Sequence, residues 1–320
     1  MRTCLGLLSL SCILFALAVA VGDGALVLGV ALDETSATAA FFKDDKPVFT
    51  SSIALDEDYQ DYVYNTLKTQ GQLVVEQDKL YRILRNGTRT LVANDGHNSQ
   101  LATKALSGAL ERILQQARAE LGSHLRLGAV VFPTHFNASS ENSLLAAARV
   151  VEPKFNNTLR LMRSHKAALL TYPENGCFES WGNFEAHRRG HDHAILLQHS
   201  SGAIDLTFAK IVHWGGGILD SNVRTAKVFS LKEAVEAILK EEEWHDSKAV
   251  IVAGDFGEQE VRSLSRYLGD MVPSLTDKVK SSKAGPRFVT AQGAACLARW
   301  HVNNPDDRTR VGPTEGHEEL

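Results

Sequence analysis

Cysteine is scarce in this chain, with four in 320 residues, and two of these, Cys4 and Cys12, fall within the first twenty. The other two, Cys177 and Cys296, are too few for a disulfide scaffold. They also lie too far apart for spacing to say whether they pair. No CxxC pair and no HExxH frame occurs, so no zinc motif of fixed geometry is present. Basic residues are not in excess: 34 Lys and Arg stand against 38 Asp and Glu, for a net charge of -4. That leaves no basic field to suggest a nucleic-acid partner. Past the first twenty residues, no run is apolar enough to span a bilayer. What the chain does have is a 44% hydrophobic content, ample for one core or two lobes.

Both ends carry address-like features. The opening MRTCLGLLSLSCILFALAVA has one Arg, an apolar run and a small-x-small exit at Ala18-Val19-Ala20. It reads as a secretory signal peptide cleaved near Ala20, with a signal anchor as the alternative. Residues 303–320 are polar and contain Pro and Gly, a composition expected of disorder. They end His317-Glu318-Glu319-Leu320, similar to receptor-read retrieval signals of the endoplasmic reticulum lumen, with Glu318 in place of the usual Asp. Sequons at Asn86, Asn137 and Asn156 fit a secretory-pathway glycoprotein with no membrane span in its mature form.

The stretch Ala194–Ile211 is expected to be a hairpin. Ala194–Leu197 is small and apolar, Ala203–Ile211 alternates around Ile204, Leu206 and Phe208, and Ser200, Ser201 and Gly202 form the turn. Small residues at such a tip let backbone N–H groups approach a phosphate; an ordinary antiparallel hairpin is the plainer reading. Upstream, GCFESWGNFEAHRRGHDH reads either as a surface loop or as a metal cluster of His187, His191 and His193 with Cys177.

In order along the chain, a set of stretches resembles the actin-like ATPase superfamily, nearest to the nucleotide-binding domain of the seventy-kilodalton heat-shock chaperones. Ala25–Ala31, the turn Leu32-Asp33-Glu34-Thr35-Ser36 and Ala37–Phe42 are similar to its first phosphate hairpin, with Gly29, Val30, Leu32 and Thr35 matching. Leu121-Gly122, Ala129-Val130, Pro133 and Phe136-Asn137 resemble its helix–strand–Val-Pro-Ala-Tyr-Phe-Asn segment. A helix following Leu159 resembles Leu-Arg-Ile-Ile-Asn-Glu-Pro-Thr-Ala-Ala. Ala194–Ile211 resembles the second phosphate hairpin. His213–Asp220 resembles His-Leu-Gly-Gly-Glu-Asp-Phe-Asp, where the family starts a helix. Ala249–Gly257 resembles the adenosine-side strand and turn, and Phe288–Ala298 a helix of small residues.

The resemblance implies a two-lobed α/β fold with ribonuclease-H-like mixed sheets and reduced upper subdomains. Residues 21–192 would form lobe I and 193–302 a shortened lobe II, between the signal at 1–20 and the tail at 303–320. It implies ATP or ADP with magnesium as ligand, held by Thr35, Ser200, Ser201, Gly202, Gly215, Gly216, Gly217, Gly254 and Asp255. It also implies luminal chaperones or folding clients as partners. The polar positions depart from the pattern. Ala31 and Gln198 stand where the family has metal-side Asp residues, Ser164 where it has Glu, Asp33 where it has a turn glycine, and Arg287 where it has Asp. No counterpart of the catalytic lysine is found, although Lys46, Lys68 and Lys79 are available. Phosphoryl transfer rests on positioning and electrostatics around a metal–phosphate unit. The expectation is therefore a chaperone-like fold that turns over ATP weakly or not at all and acts as a binding or regulatory module. The alternative is an active ATPase rebuilt around Asp33, Asp205 or Asp255, and a purely structural protein is the third reading.

Overall fold

The computed structural model describes residues 26–43, 46–69, 98–122, 124–155, 160–171, 191–200, 202–214 and 217–303. Two mixed five-stranded sheets organise them. In the first, β1 (Val27–Leu32), β2 (Ser36–Lys43) and β3 (Lys46–Ala54) form an antiparallel meander. On the other side of β1, β4 (Arg126–Phe132) and β5 (Leu161–Arg163) add in parallel, giving the order β3-β2-β1-β4-β5. The second sheet follows the same plan. The meander is β6 (His191–Ser200), β7 (Ala203–Trp214) and β8 (Gly217–Val228), and the parallel additions to β6 are β9 (Ala249–Gly254) and β10 (Val279–Lys280). Starting from the third meander strand, both sheets run third-second-first-fourth-fifth.

Side-chain size decides what each face receives. In β1, Leu28, Val30 and Leu32 point to one face and Gly29 and Ala31 to the other, as a period of two requires. The large face meets Tyr59, Val63 and Leu67 of α1 (Glu57–Thr69) and Leu106, Leu110 and Ile113 of α2 (Asn98–Leu121). Leu144 and Ala148 of α3 (Ala138–Val151) join the same core. In the second sheet, Ile195, Leu197, Val250 and Val252 face α5 (Leu231–Lys240) and α6 (Glu258–Met271). Caps place two of these helices: Asn137 Oδ1 accepts from Ser140 N at 3.0 Å and Ser230 Oγ from Glu233 N at 3.2 Å.

The small faces turn toward α4 (Ser164–Leu169) and α7 (Val289–Asn303), which lie between the sheets. Ala31, Ala40 and Val131 from the first sheet pack with Ala167, Ala291, Ala294 and Ala295. Ala194, Leu196 and Ala253 from the second pack with Ala168, Leu169 and Val289. Contact here is backbone to backbone. A Cβ on Gly29 would lie 2.0 Å from Ala295 N, and one on Gly293 would lie 1.9 Å from Ala167 O. Cys296 of α7 is disulfide-bonded, and Cys177 lies outside the described residues.

Two local expectations are corrected. The segment expected to start a helix at His213–Asp220 instead ends β7 and opens β8, with Trp214 paired to Gly217. The histidine stretch is not a loop at its end, because His191 and His193 lie on β6, opposite Val212 and Lys210. The His193 ring lies tilted by 40° against Trp244, with ring centroids 4.6 Å apart. The clusters at Leu73–Val75 and Leu80–Leu84 lie outside the described residues. Among the described residues, no helix is long and apolar enough to cross a membrane.

Candidate functional site

Parallel strands β1, β4 and β5 end together, and so do β6 and β9. The carboxyl ends of such strands are where open α/β sheets take ligands. Two hairpin turns meet there. The β1–β2 turn is braced from three sides: Asp33 N donates to Ser36 O at 2.8 Å, Leu55 N to Thr35 O at 2.9 Å, and Tyr59 Oη to Asp33 O at 2.7 Å. Opposite it, Ser200 Oγ at the end of β6 donates to Asp33 Oδ1 at 2.7 Å. Asp33 Oδ1 also accepts from Glu34 N at 2.8 Å. Thus the two turns singled out in the sequence touch across the sheets through a carboxylate.

Asp33 is half-buried. That burial, reinforced by the neighbouring Glu34 and Asp255 charges, pushes it up to about 7 against the lowering effect of Ser200 and the Glu34 N–H. Glu34 is only 4% exposed, and its Oε1 lies 4.0 Å from His135 Nδ1. That separation is at the limit for an ion pair, but burial and then Lys227 hold the imidazole down at about 3. The ring is therefore neutral, and the contact is not an ion pair. His135 Nε2 and Ser164 Oγ are buried without a hydrogen-bond partner.

Cross-strand register builds the other wall. Ala253, Gln198, Asp205 and Lys227 are successive partners across β9, β6, β7 and β8. Asp205 is raised above the usual carboxylate range, by burial first, while Lys227, a hydrogen bond with Thr134 and His165 pull it back. The turn after β9 is fixed by Gly254, whose φ of 88° suits glycine and whose missing Cβ leaves room for His199 O. Asp255 N donates to that same carbonyl at 3.1 Å, and His199 Nδ1 donates back to Asp255 O at 3.1 Å. The Asp255 carboxylate is taken by Arg287, at 2.9 Å from Nη2 and 3.0 Å from Nε.

The sequence candidates therefore divide. Thr35, Ser200, Gly202, Gly254 and Asp255 fall on turns or strand ends at this rim. Gly217 does not. It sits at the far end of β7 from Gly202, about 36 Å away at roughly 3.3 Å per residue, because successive antiparallel turns alternate ends. Ser201, Gly215, Gly216, Asn86, Asn156 and His187 lie outside the described residues. Asn137 is exposed and caps α3 through Oδ1, leaving Nδ2 for a glycan. Sequence reasoning missed Tyr59, Thr134, His135 and Lys227. Thr134 and His135 carried a usable signal, since they follow the buried strand β4 after a single proline, Pro133.

The donor set does not fit a magnesium–polyphosphate unit. Among the described residues, no three His, Cys, Asp or Glu side chains converge as a metal site. Ala31 and Gln198 offer no carboxylate, and Asp33 already occupies the space between the turns. A groove among the described residues lies elsewhere. It measures about 390 Å³ and runs between β7–β8 and α5, over Phe208, Ala226, Val228 and Ala237. No family model matches the chain, and no curated protein matches its sequence.

Proposed function

We propose that this chain is a chaperone-like member of the actin-like ATPase fold that works in the endoplasmic reticulum lumen as a binding or regulatory module in protein folding, without appreciable ATP turnover. The duplicated strand order, the small-residue helices between the sheets and the meeting of the two turns support the fold reading. One observation carries the functional reading: the Asp33 carboxylate bonds to Ser200 across the turns, in the space where that fold takes a nucleotide's phosphates. A carboxylate there repels phosphate oxygens, and the substitutions at Ala31, Ser164 and Gln198 remove the groups that would hold a compensating cation. Each lost preorganised contact costs roughly a hundredfold or more in rate.

Single-turnover hydrolysis and calorimetric titration of ATP into the mature chain, with and without magnesium, test this. The expected result is very weak binding and no measurable turnover. Turnover at the rate of an ordinary chaperone ATPase would replace this reading with an active site rebuilt around Asp33, Asp205 or Asp255. The opening apolar run and the His317–Leu320 motif support the luminal part of this proposal. That part is tested by comparing secretion of internally tagged chains with and without Glu318–Leu320, and equal secretion would remove it.

A further inference from the structure

We propose that the Asp33 side chain is an in-chain occupant of an anion position between the two hairpin turns, an autoinhibitory clasp that holds the turns together and keeps phosphate-type anions out. This rests on the fold reading above and goes beyond it, because it gives the substituted turn residue a task. The donors around Asp33 Oδ1 are of the kind that bind a small anion: one hydroxyl, Ser200 Oγ at 2.7 Å, and one backbone N–H, that of Glu34 at 2.8 Å. They come from different sheets, so the carboxylate ties the sheets together at their shared rim. Both ends of the tie are anchored. Tyr59 of α1 holds the Asp33 carbonyl at 2.7 Å, and β6 carries Ser200 beside His199, which the Gly254–Asp255 turn grips through two hydrogen bonds of 3.1 Å.

The nearby cations are committed elsewhere, and Glu34 and Asp255 oppose any anion here, the Asp33 carboxylate included, so Asp33 holds its place by being tethered rather than by charge. Arg287 is already bonded to Asp255, and Lys227 faces Asp205 across β7–β8. A phosphate would meet the buried Glu34 carboxylate and the neutral His135. Asp33 pays no association entropy for its place, being part of the chain, so it outcompetes a weakly attracted free anion.

The test uses the mature full chain and two readouts. The first is native-state hydrogen exchange at the amides of residues 33–36 and 199–203 in wild type, Ser200→Ala and Asp33→Ala. The second is calorimetric titration with inorganic tripolyphosphate and magnesium. Both variants should exchange at least fivefold faster at these amides, while amides of α2 stay unchanged. Asp33→Ala should bind tripolyphosphate at least tenfold more tightly than wild type. Asp246→Ala, which removes an exposed acid elsewhere, should gain nothing; an equal gain there would reduce the effect to net charge and overturn the proposal. Unchanged exchange in Ser200→Ala would overturn the clasp itself, whatever the fold binds. Faster exchange without any gain in tripolyphosphate affinity would overturn the anion position and leave only a closure between the turns, while the fold reading would stand on the strand order.

Discussion

The close approach of α7 to the first sheet makes Gly29→Ala a sharp test of the architecture. The new Cβ would stand 2.0 Å from Ala295 N, 2.3 Å from Ala294 C and 2.5 Å from Ala295 Cα, against an ordinary contact of 3.4 Å or more. Strand or helix must therefore withdraw by about 1.4 Å, the difference between 3.4 and 2.0 Å. Neither can do so locally: β1 is hydrogen-bonded on both sides, and the obstructing atoms are backbone. A shift of that size opens a gap along Ala31, Ala40 and Val131, and a radial gap of even 0.5–1 Å forfeits roughly a quarter to a half of each dispersion well. Overpacking of this kind costs about 1–3 kcal/mol, and backbone on both sides argues for the upper end. The reduced freedom of the unfolded chain returns only about 0.4–1 kcal/mol, so a net loss of about 2 kcal/mol is expected. Gly108→Ala supplies the contrast. It lies within α2 with nothing within 4 Å of its added Cβ, so it should gain roughly 0.5–1 kcal/mol. Urea unfolding of both variants against wild type is the assay. A Gly29→Ala midpoint equal to or above that of wild type would refute the packing of α7 on β1.

Three further outcomes follow from the site and its caps. Asp33 is raised from 3.8 to about 7, so its ionisation burdens the folded state progressively from pH 4 to 7; Asp33→Asn should flatten that decline, worth at most about 4 kcal/mol, and urea midpoints of the two proteins that stay parallel from pH 4 to 8 would refute it. His135 is lowered from 6.5 to about 3, so its contribution has the opposite sign, with stability lost as pH falls from 6.5 toward 3; His135→Leu should flatten this acid limb and, having left no buried Nε2 unpaired, should not destabilise at pH 7. Asn137→Ala removes the N-cap of α3 and should cost about 1 kcal/mol by thermal unfolding of unglycosylated protein, with Asn137→Asp losing far less.

Strands with a clear apolar rhythm are legible from the amino-acid order alone. The hairpins around Asp33 and Ser200 and the buried strand Ala249–Gly254 all sit where alternation or an apolar run places them. The β8 strand is not legible in this way, because Gly217–Val228 carries Asp220, Asn222 and Arg224 and forms its strand by pairing with β7 rather than by pattern. His191 and His193 are strand for the same reason. At the rim, Gly254 and Asp255 are readable as a tight turn. The Asp33–Ser200 bond is not, since 167 residues separate its partners and no local rule reaches that far. Nor does spacing show that Arg287 meets Asp255, because the two come from different elements.

The inner face of β1 has a long wait in time as well as in sequence. Gly29 meets Ala295, 266 residues later, so at about 5–20 residues per second that face lacks its α7 cover for roughly 13–53 s of synthesis. During that interval an exposed row of leucines or valines would invite other chains to pair with it. Gly29, Ala31 and Ala40 offer little apolar area each. The same small side chains that let α7 sit against the sheet therefore keep the unfinished sheet from finding a wrong partner first.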